Sequence, residues 1–276
     1  MGLLLTLLLA AADATRPTVA ILPPTPEQGA DTWIGMAVAD NINTRLLFHS
    51  RFDPKTVTRY YPLNVMGWRQ TLSAARAEGL DTSKELSTKE LGVLRRQLGA
   101  DYIVCGAYKT EGKKVFLAWD FAGDKPSKEQ RVSFDLTDFA SLTEKIATQV
   151  LTITGQSTKG IESHQMTQTP IAALKPYAEA LEILSHQSLD PRAQLVLPKP
   201  EIERAIRLLS AATDADENFV RGWVAKGVAA AMIYDTEQAE ASLVRAMTTA
   251  GEFDPETSLG IYYLYARQGD VDKGIK

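Results

Sequence analysis

Apolar residues recur at every fourth position through Ile34, Val38, Ile42 and Leu46, giving residues 32–48 a single helical stripe. Trp33 and Leu47 are expected to widen it, and Asp31 stands where an N-cap belongs. Ahead of this helix, residues 17–24 (PTVAILPP) form a short, wholly apolar run closed by prolines, the pattern of a buried strand. A second short strand is expected over residues 52–58. Residues 60–86 hold many apolar side chains without a clean period and read as a loop followed by a helix over 73–79. Ser87 and Glu90 have capping-box spacing. The helix they open carries Leu91, Leu94 and Leu98 on one face and stops at Gly99.

Residues 102–107 (YIVCGA) are continuously apolar, as in a strand covered on both faces. Residues 111–113 (EGK) supply a turn and 115–122 a second strand, so 102–122 reads as a hairpin. A further strand is expected at 130–136, where Val132, Phe134 and Leu136 alternate. A helix over 138–152 then presents Phe139, Leu142, Ile146 and Val150. The order β-α-β-α-α-β-β-β-α predicts a small α/β domain over 15–154 with helices packed on a mixed sheet.

Residues 155–169 (GQSTKGIESHQMTQT) are nearly free of large apolar groups and read as a linker. Beyond them alanine rises, strand patterns vanish and helical spacing takes over. The fold class is therefore two-domain, α+β/α, with an all-α helical part over 170–276. Within that part Trp223, Gly227, Ala239, Leu243 and Ala246 fall at the spacings of the roughly 34-residue tetratricopeptide (TPR) repeat, which the segment resembles. Lys226 and Ala230 depart from the pattern. Ala205, Leu209 and Ala212 repeat the spacing of Ala239, Leu243 and Ala246, so an earlier unit is expected with its first helix over 171–187. Prolines in 188–200 are expected to forbid a continuous helix there. A later unit begins near Pro255, shows Tyr262, Tyr265 and Gly269-Asp270, and stops partway, so the chain is expected to continue past Lys276. The resemblance implies a TPR-like helical solenoid whose inner groove would be lined by Arg221, Val224, Val228, Tyr263 and Arg267.

The first half carries a likeness of its own. Val19-Ala-Ile-Leu-Pro23, Gly35-x-x-Val-Ala-Asp-x-Ile-x-Thr-Arg-Leu46 and Leu98-Gly-Ala-Asp-Tyr-Ile-Val-Cys-Gly106 with Gly112-x-x-Val115 resemble the TolB amino-terminal-like α/β domain, related to CsgG- and FlgO-like envelope proteins. The closing helix at 138–153 sits where that family has one, while segment 60–86 departs from its pattern. The resemblance covers about half the chain. It implies a non-enzymatic interaction or assembly module and supplies no ligand.

Composition narrows the classes. The chain has 276 residues, 45% of them hydrophobic and 23% charged, enough for two packed cores. Thirty basic residues are interspersed with 34 acidic ones, for a net charge of −4. No basic stripe offers a nucleic-acid surface. One cysteine allows neither an internal disulfide nor a cysteine zinc site. The run MGLLLTLLLAAADA is too short to span a bilayer but suits a signal peptide over 1–14 ending at a small-x-small site, although no Lys or Arg precedes it. No cysteine near residue 15 supports a lipid anchor. The mature chain is expected to lack a transmembrane span and to reside in a bacterial periplasm, with outer-membrane association as the second possibility.

Candidate chemistry fails residue by residue. Gly155-Gln-Ser-Thr-Lys-Gly160 begins like a phosphate loop, but Ile161-Glu162 follow where Lys and Ser or Thr are required. Asp214-x-Asp216-x-Asn218 begins like a calcium loop, but Phe219 and Ala225 replace the glycine and the bidentate glutamate. It reads better as an inter-repeat turn and helix cap. His49, His164 and His186 lack metal spacing. Arg45, Arg95 and Arg96 could hold an anion, though such side chains on helix faces are ordinarily solvated. Cys105 lies in an apolar run and is expected to pack in the core, while Gly106 is expected to permit a bulge or a close helix approach. No catalytic, cofactor-binding or metal-ligating residue is assigned, and no cofactor. The expected function is a non-enzymatic envelope scaffold with protein partners. The alternatives are a sensory α/β domain that binds a small molecule or glycan fragment and relays through the repeats, or a component of an outer-membrane secretion or assembly apparatus.

Overall fold

The computed structural model describes residues 16–48, 51–53, 58–123, 129–156, 158, 169–187, 197–250 and 255–269. The expected leader at 1–14 lies outside these, as does most of the linker. The protein is a mixed α/β fold with two compact units. One comprises Met1–Asp31 and Val38–Gln168; the other comprises Thr32–Ala37 and Thr169–Lys276.

In chain order the first half holds β1 (Thr18–Ile21), β2 (Thr25–Pro26), α1 (Trp33–Phe48), β3 (Arg51–Asp53), β4 (Thr58–Tyr60), β5 (Asn64–Met66), α2 (Trp68–Ala77), α3 (Thr88–Leu98), β6 (Tyr102–Glu111), β7 (Lys114–Ala122), β8 (Gln130–Asp135), a 3-10 turn (Leu136–Asp138) and α4 (Phe139–Ile153). The main sheet runs β5-β1-β6-β7-β8, with β2 also on β6. β5, β1 and β6 are parallel, and β6, β7 and β8 are antiparallel. β1 has neighbours on both sides, and Val19, Ala20 and Ile21 are fully buried, as an unbroken apolar run requires. Pro23 and Pro24 interrupt the strand, and β2 resumes on β6 with Thr25 opposite Ala107. The β6–β7 hairpin turns at Gly112, whose φ of 62° suits a residue without a Cβ.

Local signals are met where they are strong. Ser87 Oγ accepts from the Glu90 N–H, and the Glu90 carboxylate accepts from the Ser87 N–H at 2.8 Å. The Ser87 hydroxyl, donating to the same carboxylate at 2.6 Å, and then the Ser87 N–H hold the Glu90 carboxyl below its ordinary pKa. Gly99 closes α3 in the left-handed conformation, φ 60°. On α1, Ile34, Val38, Ile42 and Leu46 are buried together with Trp33. Leu47 is 41% exposed and does not widen the stripe. Burial runs all round α1 from Trp33 to Leu46 except at Asn43, and Leu47 lies past it at the C-terminal end of the helix.

Segment 60–86 differs from expectation. Residues 64–66 form β5, an edge strand parallel to β1, and the helix starts at Trp68, ahead of residue 73. Its buried face is Trp68, Thr71, Leu72 and Ala75, a true helical spacing in which Thr and Ala conceal the apolar period. The Trp68 indole N–H donates to the buried Asp40 carboxylate on α1 at 3.0 Å. The strand expected at 52–58 is instead two short strands, β3 and β4, paired with each other in a separate sheet. Within residues 102–107 only Ile103 and Val104 are buried, so this run is covered on both faces at those two positions alone. Cys105, Gly106 and Ala107 beyond them are half-buried. Gly106 makes no bulge, since the β6–β7 register is unbroken. A Cβ there would collide with the Ala118 carbonyl oxygen and lie 2.9 Å from the Trp119 Cα, so the close approach comes from β7 and not from a helix.

The second half holds α5 (Ile171–Leu184), α6 (Lys199–Ala215), α7 (Val220–Met232), α8 (Thr236–Ala250) and α9 (Pro255–Gln268). α5 ends at Leu184, short of residue 187, and accommodates Pro176 inside it. No helix runs through the described part of 188–200 ahead of Lys199, where α6 begins after Pro198. Pro200 lies in the first turn, where a helix leaves its N–H groups unpaired anyway. α5 packs on α6, α6 on α7, and α7 on both α8 and α9. Ala205, Leu209 and Ala212 on α6 and Ala239, Leu243 and Ala246 on α8 are all buried at matching spacings.

Leu243 occupies a slot between two glycines. A Cβ on Gly227 of α7 would lie 2.7 Å from Leu243 Cγ and 3.1 Å from the Ala239 carbonyl oxygen, and one on Gly260 of α9 would lie 2.7 Å from Leu243 Cδ2. Gly227→Ala therefore sets a helix-propensity gain of about 1 kcal/mol against overpacking of about 1–3 kcal/mol. Net destabilisation is expected, as a lower urea midpoint at unchanged m-value. A higher midpoint would show that α7 and α8 can separate at no cost.

Candidate functional site

The candidate chemistry of the first unit resolves into structure. Arg45 is not solvated. It is 6% exposed and spans from α1 to α4, where its guanidinium donates to Thr143 Oγ1 (3.2 Å), Glu144 Oε2 (3.0 Å) and the Ala140 carbonyl (3.2 Å). Arg95 lies in the last turn of α3 and donates to the Asp101 carbonyl, and Arg96 is exposed beside it. Both suit the negative end of that helix.

Cys105 stands opposite Asp120 on β7, and its Sγ donates to the Asp120 carbonyl at 3.8 Å. Burial, with the Asp120 and Glu85 carboxylates nearby, pushes the thiol from its ordinary value of 9.0 up to about 12. A nucleophilic cysteine needs the opposite shift.

Asp214 lies in the last turn of α6, and Asp216 Oδ1 accepts from the Asn218 N–H at 3.0 Å in the turn that leads to α7, whose N-terminus receives no side-chain cap. His186 is exposed just after α5, while His49 and His164 lie outside the described residues, as does most of 155–160. Among the described residues no group of three His, Cys, Asp or Glu could hold a metal ion, and no helix is long and apolar enough to cross a membrane.

The five groove residues take three different places. Val224 and Tyr263 are buried, and Val224 and Val228 converge on Gly260 of α9, within 3.3 Å and 3.6 Å of where its Cβ would stand. Arg221 stacks over Tyr177 and Phe219, 5.7 Å and 5.6 Å from the ring centroids, and those rings meet edge-on at 4.7 Å. Arg267 donates to the Met232 carbonyl at 3.0 Å, capping the C-terminus of α7 from α9, and lies 4.6 Å over the Tyr234 ring.

A set absent from the sequence expectation lies at the surface of the same unit. Tyr234, Val244, Met247 and Leu259 are 66%, 58%, 53% and 63% exposed. Tyr234 holds φ 61°, a left-handed conformation that glycine takes at lower cost. Val244 and Met247 are one turn apart on α8, to one side of the buried Ala239–Leu243–Ala246 stripe. Their offset from that stripe was the available signal.

No family model matches the chain, and no curated protein matches it. Among solved structures it is similar to the C-terminal domain of LpoB from Salmonella enterica, with a TM-score of 0.30 and 11% identity, covering 49% of this chain and 95% of that one.

Two outcomes test the roles given to Arg45 and Cys105. Arg45→Ala removes a buried cation with three hydrogen bonds and should cost about 2–4 kcal/mol in urea unfolding. Glu144→Gln, at a side chain 56% exposed, should cost less than about 1 kcal/mol. Equal losses would contradict the assignment. The folded thiol stays protonated where the unfolded one ionises, so the Cys105 contribution is present below pH 9 and lost as pH rises toward about 12. Iodoacetamide at pH 8 should label Cys105 at least tenfold faster in urea than in buffer. Cys105→Ala should cost about 1 kcal/mol. Equal labelling rates would mean that the thiol is accessible and ionisable in the fold.

Proposed function

We propose that this chain is a non-enzymatic scaffold of the bacterial cell envelope, binding protein partners through its helical unit, with the α/β unit as a second interaction module. The observation that carries the proposal is the exposed set Tyr234, Val244, Met247 and Leu259. Scattered apolar residues on a surface are ordinary, but here large ones concentrate on two consecutive helices and the corner before them. Tyr234, overlaid by Arg267, adds the pair of residue types most enriched where partners bind tightly. The spacing of the buried residues on α6 and α8 supports reading the unit as TPR-like. Export is supported by the apolar run 2–12 ahead of Ala12-Asp13-Ala14. The TolB-like likeness of the first half fits a docking role, since the motifs that carry it are structural.

Full-length protein and a Val244→Asp/Met247→Asp variant would be compared as baits in envelope extracts with quantitative mass spectrometry. Both substitutions are at exposed positions, so helicity and urea midpoint should be unchanged. At least one protein captured by the parent should fall at least tenfold with the variant. Identical capture by both would sink the proposal.

A further inference from the structure

β8 ends the main sheet. Its inner side pairs with β7, and among the described residues no strand pairs with its outer side. The Leu136 N–H donates to the Lys113 carbonyl at 3.1 Å, which fixes the alternation of the ladder. Residues 130, 132 and 134 turn their N–H and C=O groups toward β7, and Arg131, Ser133 and Asp135 turn theirs outward. An outer edge of this kind is a template for another strand.

The side chains on this edge are arranged antisymmetrically. Arg131 and Asp135 carry opposite charges at equal distances on either side of Ser133, and all three project from the same sheet face. Arg131 is 82% exposed and donates to the Glu129 carboxylate, and the Asp135 carboxylate accepts from the Thr137 N–H and hydroxyl. Charges on an edge oppose pairing where they meet their like in a second copy. Here a two-fold axis through Ser133 sets Arg131 of each copy opposite Asp135 of the other, and Val132 opposite Phe134. In this pairing outward groups meet outward groups, as they do in any register centred on a residue of the strand. The Ser133 N–H and C=O exchange bonds across the axis, and the Asp135 N–H reaches the Arg131 carbonyl of the second copy. A register centred on Arg131 or on Asp135 would set like charges face to face, which is unfavourable for directly opposed pairs.

We propose that β8 is a homodimer interface, in which two copies of this chain pair antiparallel about Ser133 and extend the sheet across a two-fold axis. The occupant is a second copy because the charge pattern complements itself, in a register that the hydrogen-bonding alternation allows.

The test uses the full chain in sedimentation velocity over a concentration series. The parent should show a monomer–dimer equilibrium. Arg131→Asp, an exposed substitution that sets Asp against Asp135 twice, should raise the dimer dissociation constant at least about tenfold at an unchanged urea midpoint. Ser133→Cys in a Cys105→Ala background should form an intermolecular disulfide on mild oxidation, since opposed hydrogen-bonded residues have Cα atoms about 5.5 Å apart, within disulfide reach. A parent that is monomeric at every concentration overturns the proposal. So does a dimer that Arg131→Asp leaves unchanged, or one that Ser133→Cys fails to cross-link.

Discussion

Burial of the Arg45 guanidinium imposes the tightest constraint on the first unit. A cation that is 6% exposed must be hydrogen-bonded, because an uncompensated buried charge costs several kcal/mol. Its acceptors, Ala140, Thr143 and Glu144, all lie on α4, at least 95 residues further along the chain. α1 can therefore bury this face only with α4 beside it. Once α4 is in place, Leu142, Ile146 and Val150 close over the core, and Phe139 meets Phe134 of β8 edge-on at 5.7 Å. The polar side of α1 is tied down in the same way, Asp40 accepting from the Trp68 indole of α2. The helices are fixed by specific hydrogen bonds at their polar positions as well as by apolar area.

The second unit follows a different logic. Its central contact is steric, with Leu243 wedged between Gly227 and Gly260 and the alanines of α6 and α8 letting helices approach closely. Large side chains such as Leu181, Ile202, Leu209 and Leu264 fill the rest of the core, while Val244, Met247, Leu259 and Tyr234 stay outside it. Arg267 belongs to both surfaces, capping α7 with one nitrogen while its plane lies over Tyr234.

The two proposals rest on separate parts of the chain. The scaffold reading depends on exposed side chains of the helical unit, and the dimer on backbone groups at the edge of the sheet. Failure of one leaves the other standing.

Short-range rules were legible in the residues themselves. The Ser87–Glu90 box, the Gly99 stop, the turn at Gly112 and the stripes of α1, α4 and α8 each rest on groups a few residues apart, so their physics is written in local spacing. The start of α2 was hidden because Thr71 and Ala75, polar or small in composition, are buried by what surrounds them. The roles of Arg45, Arg267 and Gly106 depend on partners 95–99, 35 and 12–13 residues away. Composition and periodicity by themselves determined most element types outside residues 51–72 and the change of character near residue 155. Only the tertiary structure decided which charges are buried, which apolar residues stay outside and which strands end the sheet. Burial and pairing are properties of what the chain brings together across long separations, and one residue with its neighbours in sequence does not contain them.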